Sequence, residues 1–231
     1  MPGKKLVLVV VLAGVAVLAG VGSVSAQDRP RFSARVDNPW FPLKPGATYV
    51  YRGVRDGKAA RDVVTVTHRT KKIDRARCVV VKDRLYLNGR LRERTIDWYT
   101  QDRRGNVWYY GEATAELDPR GRVTSTEGSW QAGQNGARPG IYMPAHPSVG
   151  RSGRQEFYKG HAEDHFQVLS LNARVKTPAA FSTHALLTEE WTPLEPDVLD
   201  HKYYVKGIGT VREQTVKGGD ERLVLAAFRS P

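Results

Sequence analysis

The chain has 231 residues, of which 40% are hydrophobic, and a formal charge of +12 at pH 7. This length fits one domain with a sizeable core, since all-β domains of roughly 200–250 residues are common. The single cysteine, Cys78, excludes an internal disulfide framework. Its apolar surroundings in RCVVVKD predict a buried strand residue rather than a reactive thiol.

The basic residues are dispersed along the chain and often stand beside acidic ones, as in RLRERTID and GGDER. No long run of lysine and arginine and no known nucleic-acid motif occurs, so we expect no nucleic-acid partner. A basic exported protein can instead bind anionic polymers of the cell envelope or lipid headgroups. The same charge is also typical of a soluble basic surface without such a partner, and both interpretations stay open.

The N-terminal segment has the layout of a secretory signal peptide. Lys4 and Lys5 precede an apolar run at residues 6–20, and small residues close the segment at Ala26. We therefore predict a signal peptide at residues 1–26 and a secreted or cell-envelope protein. An uncleaved membrane anchor is the alternative, although the run is short for a spanning helix of roughly 20 residues. No later segment is apolar enough to cross a membrane after cleavage.

The remainder of the chain predicts one antiparallel β domain. Residues 27–46 carry four prolines and read as an extended entry segment. Residues 47–228 alternate apolar and polar positions between short turns, which predicts about ten strands. A Gly- and Pro-rich insertion interrupts them at residues 113–150. Since no βαβ rhythm occurs, we predict an all-β fold with a strongly curved sheet or half-barrel.

The stretch DWYTQDRRGNVWYYGE, residues 97–112, predicts a hairpin that turns at residues 102–105. Side chains alternate across a sheet, so one face should carry Asp97, Tyr99, Gln101, Asn106, Trp108, Tyr110 and Glu112. The other face should carry Trp98, Thr100, Val107 and Tyr109. Both faces hold aromatic rings, so one of them should line a cavity or lie under the insertion.

The first face mixes flat rings with hydrogen-bonding ends. Such a surface can hold an amphiphilic or apolar small ligand, such as a lipid or a sugar. With the insertion's tryptophan added, the candidate ligand-binding residues are Asp97, Tyr99, Trp108, Tyr110, Glu112 and Trp130. The alternative is cross-strand aromatic packing with no ligand.

Three carboxylates are the candidates for acid–base catalysis: Asp97, Glu112 and Glu156. A pair of them in a cleft would suit a glycosidase-like hydrolase. Carboxylates in a basic protein more often pair with arginine and lysine at the surface. The chain has no G-x-S-x-G motif, P-loop or dinucleotide fingerprint, so we expect no cofactor.

The segment HAEDH places His161 and His165 four residues apart. In a strand this spacing spans roughly 13 Å, too far for one ion. A hard cation would prefer carboxylate oxygens such as those of Glu156, Glu163 and Asp164. We expect no metal site, and Glu156, His161, Glu163 and Asp164 are the candidates if one exists.

Two stretches, DWYTQDRRGNVWYYGE and KYYVKGIGTV, resemble an uncharacterised family of exported bacterial proteins. Its members carry segments similar to D-W-Y-A-Q-D-x-x-G-N-V-W-Y-F-G-E and K-Y-Y-A-x-G-V-G-x-V. The resemblance covers roughly residues 38–225, departs at Thr100 and Tyr110, and implies no established activity. In the second stretch, Gly207 and Gly209 predict a bulge or sharp bend.

The expected architecture is also similar to that of periplasmic carriers of lipoproteins and lipids, which raises the expectation of a binding role. The sequence thus favours an exported, non-catalytic protein that binds a small ligand on the concave face of a curved sheet. One alternative is an extracellular hydrolase that uses paired carboxylates. Another is a structural envelope protein with no ligand.

Overall fold

The computed structural model describes residues 32–231, and the predicted signal peptide lies outside this range. The described residues form fifteen strands and no helix. The strands are β1 (Thr48–Arg55), β2 (Lys58–Ile73), β3 (Ala76–Leu87), β4 (Arg90–Gln101), β5 (Val107–Leu117), β6 (Val123–Ser125), β7 (Trp130–Gln131), β8 (Arg138–Met143), β9 (Ser152–Arg154), β10 (Glu156–Phe157), β11 (His165–Lys176), β12 (Phe181–Trp191), β13 (Leu199–Val205), β14 (Gly209–Lys217) and β15 (Arg222–Arg229).

All strands belong to one antiparallel sheet with the order β10-β8-β5-β4-β3-β2-β1-β15-β14-β13-β12-β11-β9, and β6 and β7 pair with β5. This confirms the predicted all-β class. The predicted number of strands was too low, because five strands of two to six residues lie between residues 123 and 157. Strands this short show no readable alternation in the sequence.

The two ends of the sheet meet, so the sheet is strongly curved and nearly closed. Only Gln155 separates β9, at one end of the strand order, from β10, at the other. Gly140 in β8 packs so tightly on the backbone of Arg154 and Gln155 that no Cβ would fit there. Near-closure leaves little unpaired strand edge.

The strands form because β-branched and apolar residues alternate with polar ones. In β2, Ala60 and Val66 are buried, while Arg61 between them is exposed. We call the enclosed side of the curved sheet the inner face and the opposite side the outer face. Asp62 shares the inner face with Ala60 and Val66, because successive side chains point to opposite sides.

The region at residues 113–150 is more regular than its composition indicates. Its first residues continue β5 as far as Leu117. Three strands follow, β6, β7 and β8, and all three pair with β5. The segment therefore folds back along one strand and extends the sheet.

Gly207 and Gly209 lie at a turn, in contrast to the predicted bend within a strand. Gly207 adopts a φ of 80° in the turn between β13 and β14, and Gly209 begins β14 with a φ of 106°. The Gly207 amide donates to the Pro39 carbonyl oxygen over 2.7 Å. The turn is thereby attached to the entry segment.

Cys78 is fully buried in β3, and burial raises the pKa of its thiol to about 12. This confirms the prediction of a buried strand residue. No helix long and apolar enough to span a membrane occurs among residues 32–231.

Candidate functional site

The pairing of β4 with β5 shifts by one residue within the hairpin, so side chains do not alternate strictly along β5. Asp97 lies opposite Glu112, and Tyr99 lies opposite Tyr109, so β5 has one more residue than β4 between these pairs. The extra residue forms a bulge beside Gly111, whose φ of 132° is rarely adopted by residues with a side chain. The bulge brings Tyr109 and Glu112 to the same face. The predicted assignment of side chains to faces is therefore wrong for β5.

The inner face of the hairpin carries Asp97, Tyr99, Tyr109 and Glu112. The rings of Tyr99 and Tyr109 stack with their centroids 4.7 Å apart. The Tyr109 hydroxyl donates a 2.7 Å hydrogen bond to Oδ1 of Asp97. Three sequence candidates are thus brought together around a tyrosine that the sequence had assigned to the opposite face.

Trp108 and Tyr110 lie on the outer face, away from the other candidates. Phe32 packs edge-on against both rings, with centroid distances of 5.9 Å to Trp108 and 5.4 Å to Tyr110. The Trp108 indole Nε1 donates to Oδ2 of Asp102 over 2.9 Å. This contact helps to fix the hairpin turn.

Trp130 and Glu156 extend the inner cluster. The Trp130 indole Nε1 donates to Oε2 of Glu156 over 2.6 Å, and its ring meets Tyr109 edge-on at 5.5 Å. Both side chains are buried. Residues from β4, β5, β7 and β10 therefore form one connected group of rings and carboxyls.

A cavity of about 140 Å³ lies within the curved sheet next to this group. Its wall includes Asp97 and Tyr99 but not Trp108 or Tyr110. Strands from distant parts of the sheet order contribute to it, as expected for an enclosed space. The complete lining is Phe41, Pro42, Leu43, Tyr49, Tyr51, Asp62, Val64, Val81, Asp83, Asp97, Tyr99, Tyr142, Ile208, Gly209, Thr210, Glu213 and Leu223.

Asp62, Asp83 and Glu213 are the acids of the cavity wall that sequence reasoning missed. Asp62 is only 9% exposed, and its carboxyl lies within hydrogen-bond reach of the Asp83 carboxyl. Burial raises the pKa of Asp62 to about 6. Burial and the neighbouring Asp62 charge raise the pKa of Asp83 well above its usual range. The pair therefore tends to hold one proton between two carboxyls near neutral pH.

The same causes act on the other inner carboxyls. Burial, followed by the charge of Asp83, raises the pKa of Asp97 to about 7. Burial, followed by the charge of Asp164, raises the pKa of Glu156 to about 8. The pKa of Glu112 is also raised well above normal, first by burial and then by Asp97.

One lysine lies among these acids. Lys202 Nζ is 3.0 Å from Oε2 of Glu190 and 3.3 Å from Oε1 of Glu213. Burial acts to lower the pKa of Lys202, but the two carboxylates outweigh it and hold the pKa well above normal. Tyr204 donates a further 3.0 Å hydrogen bond to Glu190. Lys202 therefore stays charged and its charge is locally compensated.

We call the inner acids together the carboxyl belt; its members are Asp62, Asp83, Asp97, Glu112, Glu156, Glu190 and Glu213. The sequence contains a signal for several of them. In KAARDVVTV, Asp62 is an even number of residues from Ala60 and Val66, so alternation places all three on the same side of the strand. An acid within an apolar stripe of a strand indicates a buried, functional or hydrogen-bonded carboxyl.

The four candidate metal ligands do not form one site, although Asp164 is close enough to Glu156 for its charge to raise the pKa of Glu156. His161 Nδ1 lies 2.7 Å from Oε1 of Glu127, and Glu163 Oε1 accepts from the Gly160 amide. Glu156 is bound to Trp130 inside the sheet. Within residues 32–231, no group of three or more histidine, cysteine or acidic side chains is arranged to hold a metal ion.

Comparisons with known proteins gave structural similarity only. No protein-family model and no curated protein matches the chain. One similar solved structure, from Bacteroides fragilis, is provisionally described as an exported protein with a YmcC-like fold. It has a TM-score of 0.48 and 17% identity over 83% of this chain and 99% of its own. Another, provisionally described as a lipoprotein from Parabacteroides distasonis, has a TM-score of 0.45 and 10% identity over the same shares. The relationship to the uncharacterised exported family stays a prediction.

Proposed function

We propose that the protein is an exported binding protein whose cavity takes the positively charged end of a small amphiphilic ligand. The observation that carries this proposal is the pair of acids Asp62 and Asp83 in the cavity wall, neither of which forms an ion pair within residues 32–231. The negative charge that this pair keeps at neutral pH is costly to bury without a cation, and a cationic group on a ligand would offset that cost. Export rests on the N-terminal signal segment of the sequence.

The size of the cavity limits the ligand. About 140 Å³ is close to the volume that holds one benzene-sized group. Whole small-molecule ligands usually need pockets of roughly 300–1,000 Å³. The cavity therefore suits one end of a ligand, and the remainder would extend past the half-buried Phe41 and Ile208.

The charge of the wall favours a cation. Asp62, Asp83, Asp97 and Glu213 all line the cavity, whereas Lys202 is already paired with Glu190 and Glu213. Apolar and aromatic side chains make up most of the remaining wall. Aromatic rings beside carboxylates suit organic ammonium groups. A wholly apolar acyl chain would leave these buried acids without partners.

Binding of three probes with the same ring tests the proposal: benzylammonium, benzyl alcohol and benzoate. We expect benzylammonium to bind most tightly and benzoate not to bind, as measured by shifts of backbone amide NMR signals. Since the pKa of Asp62 is about 6, benzylammonium should bind more tightly at pH 7.5 than at pH 5. Asp62→Asn should weaken binding about tenfold, equivalent to roughly 1.4 kcal/mol.

Asp197→Asn is the matched control, because the Asp197 side chain is 93% exposed and pairs with Lys217 at the surface. It should leave binding unchanged. Equal binding of benzyl alcohol and benzylammonium, or an Asp62→Asn variant with full affinity, would contradict the proposal. Binding of none of the three probes would favour a structural envelope protein.

A hydrolase is the second candidate, and the pKa of Asp97 favours it. A carboxyl with a pKa of about 7 can act as a general acid at neutral pH. Asp97 lies opposite Glu112 across the hairpin, but only Asp97 lines the cavity. Hydrolysis of chromogenic glycosides that is lost in Asp97→Asn would support an enzyme. No turnover by the unaltered protein would count against it.

A further inference from the structure

We infer that the outer face of β1–β4 binds a linear polymer that carries phosphate groups. The inference concerns a surface on the opposite side of the sheet from the cavity, so it is independent of the proposed ligand. We call this surface the outer basic patch; its members are Arg52, Arg61, Lys82, Arg84 and Arg94.

The strand register places these side chains on one surface. Arg52 lies directly opposite Arg61, and Arg84 lies directly opposite Arg94. Arg61 also lies opposite Tyr86, which shares a side of β3 with Arg84. Opposite residues in an antiparallel pair point to the same face, with Cβ atoms about 5 Å apart.

The patch contains no compensating acid. Neighbouring acids in the same strands, such as Asp62 and Asp83, point to the inner face and line the cavity. Within residues 32–231, none of the observed ion pairs involves a member of the patch. Arg61 instead stacks over the ring of Tyr86 at 4.3 Å.

Two like charges directly opposite each other destabilise a sheet. The pairs Arg52–Arg61 and Arg84–Arg94 therefore cost stability in the isolated protein. An anion that accepts hydrogen bonds from both members of a pair would reverse the sign of this interaction. Guanidinium groups suit such contacts, because each presents a planar fork of donors.

Phosphate is the anion that suits paired arginines best. It has more acceptor oxygens than a carboxylate and can accept from two guanidinium groups at once. Arg61 and Arg84 are diagonal neighbours across β2 and β3, so the two arginine pairs are about 7–8 Å apart at their nearest. Two phosphates of one chain that are spaced by this distance can occupy both pairs.

The shape of the surface favours a flexible polymer over a membrane. Adjacent strands rotate by roughly 20–25° relative to each other, so β1–β4 form a curved surface. A flat bilayer would meet only a strip of it, whereas a flexible chain can follow the arginines from strand to strand. Stable membrane contact usually needs inserted apolar side chains as well. Val54 is the one large apolar side chain of β1–β4 that is exposed, which is too little for membrane insertion.

Binding of long-chain inorganic polyphosphate by the full mature chain tests the inference. We expect binding that weakens with salt, as counterion release requires. A variant with Arg52, Arg61, Arg84 and Arg94 all changed to Gln should bind at least about tenfold more weakly. Inorganic monophosphate should compete poorly, because it cannot bridge two sites at once.

The matched control removes the same charge elsewhere, with Lys44, Arg103, Arg120 and Lys159 all changed to Gln. These four residues are exposed and lie outside β1–β4. An equal loss of polyphosphate binding in both variants would overturn the inference in favour of unspecific charge attraction. Binding to vesicles rich in anionic lipid but not to polyphosphate would overturn it in favour of a membrane surface.

A second measurement separates binding from folding. Arg52→Gln and Arg94→Gln each relieve a like-charge pair, so the free energy of unfolding should stay equal or rise. Added polyphosphate should raise the melting temperature of the unaltered protein more than that of the fourfold patch variant. The same rise in both proteins would contradict a site at this surface.

Discussion

Tyr109 connects the candidate residues of the inner face. Its ring stacks on Tyr99 and meets Trp130 edge-on, while its hydroxyl donates to Asp97. A buried hydroxyl that donates to a carboxyl fixes the orientation of both groups. The sequence alone could not identify this role, because it depends on a bulge that changes the face of one residue.

Tyr109→Phe should raise the pKa of Asp97 above its present value of about 7. The hydrogen bond from Tyr109 stabilises the charged carboxylate and so lowers this pKa, against the larger effect of burial. The free energy of unfolding should fall by about 1–3 kcal/mol, and by more at pH 8 than at pH 5. Carboxyl ¹³C NMR titration and urea denaturation measure the two effects.

Tyr110→Phe is the matched control for this variant. Tyr110 is the next residue, but it lies on the outer face, and its hydroxyl makes no hydrogen bond within residues 32–231. It should leave the titration of Asp97 unchanged. An unshifted pKa of Asp97 in Tyr109→Phe would show that the hydrogen bond has no electrostatic effect.

The β5 strand explains how far the sequence could predict the site. Long strands such as β2 and β11 are evident from alternation, because over part of their length buried residues alternate with more exposed ones. The direction of side chains beyond a bulge is not evident from alternation, because one extra residue exchanges the two faces. Asp97, Tyr99 and Glu112 were therefore assigned to one face correctly, while Trp108 and Tyr110 were not.

The closing contacts of the sheet were beyond sequence reasoning for a different reason. The contact of Gly140 with Arg154 and Gln155 joins the two ends of the strand order. Strands of two or three residues, such as β7, β9 and β10, form only because the neighbouring backbone is already in place. Such pairing depends on tertiary structure, which a local pattern does not contain.

Gly111→Ala should destabilise the protein by about 3 kcal/mol. Its φ of 132° is unfavourable for alanine, and a Cβ would come within 2.9 Å of the Gln131 Cα. Gly89→Ala is the matched control, because Gly89 also has a positive φ, 77°, but no atom lies near its Cβ position. Gly89→Ala should cost about 1 kcal/mol. Equal losses in urea denaturation would show that the close packing on β7 contributes nothing.

The whole molecule separates its charges by side of the sheet. Its formal charge is +12, yet the interior holds the carboxyl belt with Lys202 as its basic residue. In β1–β4 the arrangement alternates residue by residue, as Arg61 and Asp62 illustrate. Acids are thus kept inside a basic protein, where burial raises their pKa values and neutralises many of them near pH 7.

This arrangement predicts that the folded protein loses stability as the pH rises from about 5 to 8. The pKa values of four belt acids are raised: Asp62 to about 6, Asp97 and Glu213 to about 7, and Glu156 to about 8. In the unfolded chain they titrate near pH 4. The folded state therefore binds more protons across this window, and its stability is greatest below the unfolded pKa values of these acids.

Urea denaturation at pH 5 and pH 8 should differ by at least about 2 kcal/mol in favour of pH 5. The pKa of Asp102 is lowered instead of raised, so Asp102 stabilises the folded protein at neutral pH. This stabilisation is lost only below about pH 4. Replacing Asp97 by Asn and Glu156 by Gln removes two titrating groups and should flatten the pH dependence. A protein that is more stable at pH 8, or a double variant with an unchanged slope, would show that the belt acids are ionised in the folded state at neutral pH.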